Sequence, residues 1–125
     1  MGRLPSPMQD TKLTGIVRAY CSAYESEDRA VAETLLADDF TFTSPNDDAI
    51  DRATYFERCW PHSDISRDQQ IEKIVVEGDK AFVTYLCSSA GGKSFRNTEF
   101  LTFVDGRIAT VNVYFGASYQ DGVLQ

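Results

Sequence analysis

The sequence predicts an α+β fold in which three N-terminal helices pack on a strongly curved, mainly antiparallel sheet, in the order α-α-β-α-β-β-β-β. Three observations carry this. Apolar residues recur at helical spacing in three segments before Pro61. Four later segments, rich in β-branched and aromatic residues, are separated by short glycine-bearing turns, so successive strands pair antiparallel. A chain of 125 residues that is 42% hydrophobic can bury one core but not two, so helices and sheet must share it.

Residues 1–9, with two prolines, a glycine and no periodicity, read as a flexible N-terminal tail. From Thr11, behind the candidate cap Asp10, the stripe Leu13, Ile16, Val17, Tyr20, Ala23 and Tyr24 defines a first helix ending near Ser26. Asp28 caps a second, short helix whose apolar face is Val31, Ala32, Leu35 and Leu36, closed by Asp38-Asp39. Phe40-Thr41-Phe42-Thr43 alternates ring and hydroxyl as a half-buried strand does, and the turn formers Ser44 to Asp48 stop it. A third helix runs from its N-cap Asp51 to the breaker Pro61. Strands then follow at Gln70–Glu77, Ala81–Ser88, Ser94–Val104 and Ile108–Gly116, with 118–125 read as a C-terminal tail. A strongly twisted sheet wrapping helices leaves a conical space between them, where a ligand would sit.

Nineteen acidic against twelve basic side chains give a net charge of -7, a field that repels phosphate backbones and anionic lipid surfaces. Nucleic acid and membrane are therefore not expected as partners. The longest apolar runs, such as Ile74-Val75-Val76, fall far short of the ~20 residues of a membrane span, and no apolar leader segment is seen, which points to a cytoplasmic protein. Cys21, Cys59 and Cys87 are odd in number and widely spaced, and read as reduced, buried thiols.

The run Ala32 to Phe40 leading into a strand, Ser44-Pro45, and the closing stretches Arg96 to Phe100, Phe103 to Ile108 and Val113 to Gly116 resemble the SnoaL-like branch of the nuclear transport factor 2-like superfamily. The resemblance covers roughly residues 10–117. It implies a cone-shaped single domain over that span, a homodimer formed through the open sheet face, and a pocket between helices and concave face. The superfamily includes ketosteroid isomerases, polyketide cyclases, hydrolases and dehydratases as well as many proteins without catalytic activity, so the pocket residues, not the fold, must choose the chemistry.

Alternation places Phe95, Asn97, Glu99, Leu101 and Phe103 on one face of the third meander strand; on the last strand it groups Ile108, Thr110, Asn112 and Tyr114 opposite Ala109, Val111, Val113 and Phe115. The resemblance implies that the Glu99 and Tyr114 faces look inward. A carboxylate among rings would be desolvated and could act as a general acid or base near neutral pH; alternatively Glu99 pairs with Arg96, Arg107 or a hydroxyl at the sheet edge. His62, the sole histidine, and Asp47, in the turn after the first strand, are the other candidate proton carriers, against their plainer roles as helix cap and turn former. Ketosteroid isomerase pairs an aspartate base with a tyrosine and a protonated aspartic acid. Here Tyr20 or Tyr24 would supply the phenol, and Glu99 or Asn112 would have to be the second donor. Tyr20, Tyr24, Phe40, Phe42, Tyr55, Trp60, Tyr85, Asn97, Asn112 and Tyr114 are the candidate lining. No metal-ligand spacing, calcium loop or phosphate loop occurs, so neither metal nor cofactor is expected. The expected ligand is a small, largely apolar molecule. It is either altered by cofactor-free acid/base chemistry of the isomerase, cyclase or dehydratase type or only bound. In the non-catalytic case Phe100, Val111, Val113 and Phe115 form the contact face of a dimeric interaction module.

Overall fold

The computed structural model describes residues 7–60, 67–89 and 91–125. Helix α1 (Pro7–Ser26) starts upstream of the expected Thr11, because a proline at the first helical position lacks only a donor the helix does not use. Its stripe Leu13, Val17, Tyr20, Cys21 and Ala23 is buried. In α2 (Arg29–Leu35) the Asp28 side chain caps the helix by accepting from the Val31 amide at 3.2 Å. Strand β1 (Leu36–Ser44) begins at once, so Asp38 and Asp39 stand exposed on a strand rather than closing the helix. The polar stretch expected as a turn forms a short hairpin partner, β2 (Asp47–Asp51). Asp51 then caps α3 (Arg52–Cys59), accepting from Thr54 N at 2.9 Å.

The meander follows as expected: β3 (Arg67–Glu77), β4 (Lys80–Ser89), β5 (Lys93–Val104) and β6 (Arg107–Gln120), with a short β7 (Val123–Leu124) folded back on β6 where a tail was expected. The sheet order is β2-β1-β6-β5-β4-β3, antiparallel throughout except that β1 lies parallel to β6. Edge strand β3 is tied to α1 by Glu25 Oε2, which accepts from Gln69 N at 3.0 Å. Helices and concave face enclose a core in which Val17, Leu36, Phe40, Tyr55, Val83, Leu101, Ile108 and Val111 are fully buried. Each such side chain contributes on the order of 1.5–3 kcal/mol.

One irregularity decides which residues face inward. Phe103 pairs with Ile108 and Thr102 with Thr110, which leaves Ala109 as an extra residue. This bulge inverts the alternation beyond it. Ile108, Val111 and Val113 are buried, while Asn112 lies on the convex face and Tyr114 is 57% exposed there. The expectation that Asn112 and Tyr114 look inward is thus corrected, as is the placing of Val111 and Val113 on the outer face. A second slip, between Phe95↔Ser118 and Asn97↔Phe115, falls at Gly116, where a β-carbon would collide with the Arg96 carbonyl oxygen.

Candidate functional site

Between the helices and the concave face lies a cavity of about 550 Å³, within the range that holds a small organic ligand. Inward positions of the meander supply its floor. Tyr85 comes from β4, Asn97 and Glu99 from β5, and Val113, paired with Glu99, from β6. Because Tyr85 pairs with Asn97, it reaches Glu99 diagonally, and its hydroxyl donates to Glu99 Oε2 at 2.5 Å. Asn97, the strand partner of Tyr85, stands beside that phenol and favours its charged form. Glu99 Oε1 is buried with no hydrogen-bond partner among the described residues.

Burial raises the Glu99 carboxyl to about 7, against which the Tyr85 hydrogen bond pulls it down. Glu99 therefore exists in both protonation states near neutral pH, as a proton carrier must. Burial, and then the Glu99 charge, pushes the Tyr85 phenol well up, so it remains a donor. Arg96, one candidate partner of Glu99, instead pairs with Glu72 on the outer face. The hydroxyl that Glu99 finds is inside the cavity, not at the sheet edge.

At the other wall, α3 and the β1–β2 hairpin bring Asp47 and Arg58 together at 2.8 Å. Ser44 Oγ donates to Asp47 Oδ2 at 3.2 Å and accepts from Asn46 N, so Asp47 serves the turn and lines the cavity at once. Tyr24, Phe42 and Tyr55 line it as expected. Tyr20 lies one layer behind, its hydroxyl bonded to that of Tyr55 at 2.7 Å. Phe40 and Trp60 are core residues packed on Tyr55 and on Tyr24 and Phe56. His62 lies outside the described residues.

Several lining residues were not on the candidate list. Phe95 shares the Glu99 face and could have been read from alternation. Val113 and Phe115 were hidden by the bulge at Ala109. Arg58 and Gln69 carried no sequence signal for a pocket. Cys59 and Cys87 also line the wall, and burial holds the Cys59 thiol up at about 11, a protonated and unreactive state. Among the described residues, no group of three or more His, Cys, Asp or Glu side chains gathers to hold a metal ion, and no helix is long and apolar enough to cross a membrane.

Residues 17–111 match the SnoaL-like domain. The chain belongs to this family. The SnoaL-like fold is shared with solved structures of low identity. One is a protein of Jannaschia sp. CCS1 proposed to be a SnoaL-like polyketide cyclase (17% identity, 91% of each chain covered, TM-score 0.74). A second is an LEH-like epoxide hydrolase of M. tuberculosis (20% identity, 86% of this chain and 84% of that one, TM-score 0.71). A third is a hypothetical protein with a ketosteroid isomerase-like fold from Catenulispora acidiphila DSM 44928, in complex with trimethylamine (18% identity, 86% and 92%, TM-score 0.70). No curated protein matches the chain. These structures share the fold of this chain; the chemistry must be read from the side chains inside its own cavity.

Proposed function

We propose that this SnoaL-like domain binds a small, largely apolar metabolite in the cavity and moves a proton on it without a cofactor, in a reaction of the isomerase, cyclase or dehydratase type. The observation that carries the reading is Glu99. It is a buried carboxylate on a cavity wall, raised to about 7, with Oε2 held by Tyr85 and Oε1 free of any partner among the described residues. As the carboxylate it takes a proton from one position of the ligand; as the acid it returns that proton to another, and is regenerated. Asn97, Tyr24 and Tyr55 stand within the same walls to orient or polarise the ligand. Asp47, neutralised by Arg58, is better suited to shaping the wall than to abstracting the proton.

A non-catalytic module would be expected to fill its interior with rings; the open cavity and its convergent carboxylate favour the enzyme. A homodimer through the convex face belongs to the same proposal. Val75, Phe82, Val104 and Tyr114 are each about half exposed there, and the Phe82 and Phe100 rings lie 4.7 Å apart. An apolar face of this kind is rarely left bare.

The test is proton exchange. A panel of enolisable ketones in D2O, followed by NMR, is expected to contain at least one whose α-protons exchange in the presence of the protein. Glu99→Gln is expected to slow that exchange by roughly 10²–10⁴-fold. Equal turnover by the variant would remove Glu99 from the mechanism. A panel with no exchange at all would favour the binding module.

A further inference from the structure

Along the inward face of β5 the order is Phe95, Asn97, Glu99: a ring, an amide and an acid, all three lining the cavity. Asn97 is 8% exposed, and its Oδ1, like Glu99 Oε1, is buried with no hydrogen-bond partner among the described residues. A buried acceptor left unpaired is destabilising until something donates to it. Two such atoms, from positions two apart on one strand face and so about 7 Å from each other along the backbone, look into the same space.

The rest of each group is already engaged. Glu99 Oε2 accepts from the Tyr85 hydroxyl. Asn97 pairs with Tyr85 across the β4–β5 ladder and favours the charged form of that phenol, which is the effect of an amide N–H and not of a carbonyl. The nitrogen end of the amide therefore serves Tyr85, and the carbonyl end is left to the cavity. As a neutral acceptor, Oδ1 suits a hydroxyl. A buried ammonium there would need a counter-charge, and Asp47 is already paired with Arg58.

We propose that Asn97 Oδ1 is the specificity-determining contact of the cavity and that its ligand is a hydroxylated, enolisable ketone. The ligand O–H donates to Asn97, while an acidic C–H one strand step away meets Glu99 Oε1. The inference rests on the proposed function, which takes Glu99 as the proton-transfer end; it adds the substrate class and the spacing of its two reporting groups. It also narrows the reaction. A departing hydroxide needs a proton donor, and Oδ1 only accepts, so this hydroxyl is a handle kept through the reaction and not a leaving group.

Three ketones built on one two-ring frame test this: 6-hydroxy-2-tetralone, 6-methoxy-2-tetralone and 2-tetralone. In the first, the hydroxyl and the acidic methylene between ring and carbonyl lie at opposite ends of the frame. Calorimetric titration of the wild type is expected to give the hydroxy compound a Kd roughly tenfold below that of 2-tetralone. The methyl ether, which brings an acceptor to an acceptor, is expected to gain nothing over 2-tetralone. Asn97→Leu, an apolar side chain of similar size, is expected to weaken the hydroxy compound until it and 2-tetralone bind alike; Asn97→Ala gives the same readout if leucine disturbs the wall. Equal binding of all three by the wild type, a preference that survives both substitutions, equal loss of all three in variants that unfold at the wild-type urea midpoint, or no binding of any at millimolar concentration overturns the hydroxyl contact. A preference that depends on Asn97, alongside proton exchange that Glu99→Gln leaves intact, would uphold this contact and sink only the catalytic role of Glu99. Exchange that Glu99→Gln slows, with the three ketones bound equally, would do the reverse.

Discussion

At Glu99 two effects of opposite sign meet. Desolvation favours the neutral acid, the Tyr85 hydroxyl favours the carboxylate, and the balance falls at about 7. Removing the hydroxyl with Tyr85→Phe is expected to push Glu99 higher and move the rising limb of any pH–rate profile to higher pH. An unmoved limb would show that another group titrates. The same shift bears on stability. Between the ordinary carboxylate value of 4.5 and about 7 the native state holds a proton that the unfolded state has lost, so stability falls as pH rises through that window and stays low above it. Glu99→Gln abolishes this penalty. Urea unfolding is therefore expected to find the variant more stable than wild type by up to about 3 kcal/mol near pH 8, with the gap closing below about pH 5. A gap independent of pH would argue that Glu99 is not the group responsible. Strand alternation grouped Glu99 with Asn97, and the resemblance turned that face inward; the grouping holds because β4 and β5 run without a slip over their shared register. Arg58 and Gln69 were not, because each reaches the cavity from an element whose placement over the sheet no local pattern reports.

For the elements, the period of two and the turn glycines were enough to read the meander β3–β6, and capping aspartates were enough to read α2 and α3. What the sequence could not show was pairing at a distance. The parallel contact of β1 with β6 and the hairpin β1–β2 depend on which strands meet after folding. The bulge at Ala109 was equally silent, and one extra residue moved Asn112 and Tyr114 out and Val113 and Phe115 to the cavity wall. The slip at Gly116 has its own requirement, a residue without a side chain against the Arg96 carbonyl. Gly116→Ala is expected to cost about 1–3 kcal/mol, read as a lower urea midpoint; an unchanged midpoint would mean that β5 and β6 separate there without strain.

The whole molecule is a cone whose two faces differ in character. The concave face holds the cavity, and its relatives share that shape at identities near 20%, too low to transfer a reaction. The convex face carries half-exposed Phe82 and Tyr114 around a stacked Phe82–Phe100 pair. If two copies meet there, sedimentation is expected to report a dimer for the wild type and a monomer for Phe82→Lys, which places like charges at the centre of a symmetric contact. A monomeric wild type would end that reading. The overall α+β arrangement was legible because it follows from element order and a single core; the make-up of the convex face was legible only in part, since Phe100 lies there and Val111 and Val113 are buried on the other side.

Trp60 is the sole tryptophan in the sequence, and it sits 6% exposed with its indole edge-on to Tyr24 at 5.6 Å. Tyr24 is itself part of the cavity wall. The protein thus carries an intrinsic optical probe one ring away from its cavity. Emission excited at the indole should shift when the cavity fills, so a library can be titrated by colour change alone, on unlabelled protein, before any substrate is known.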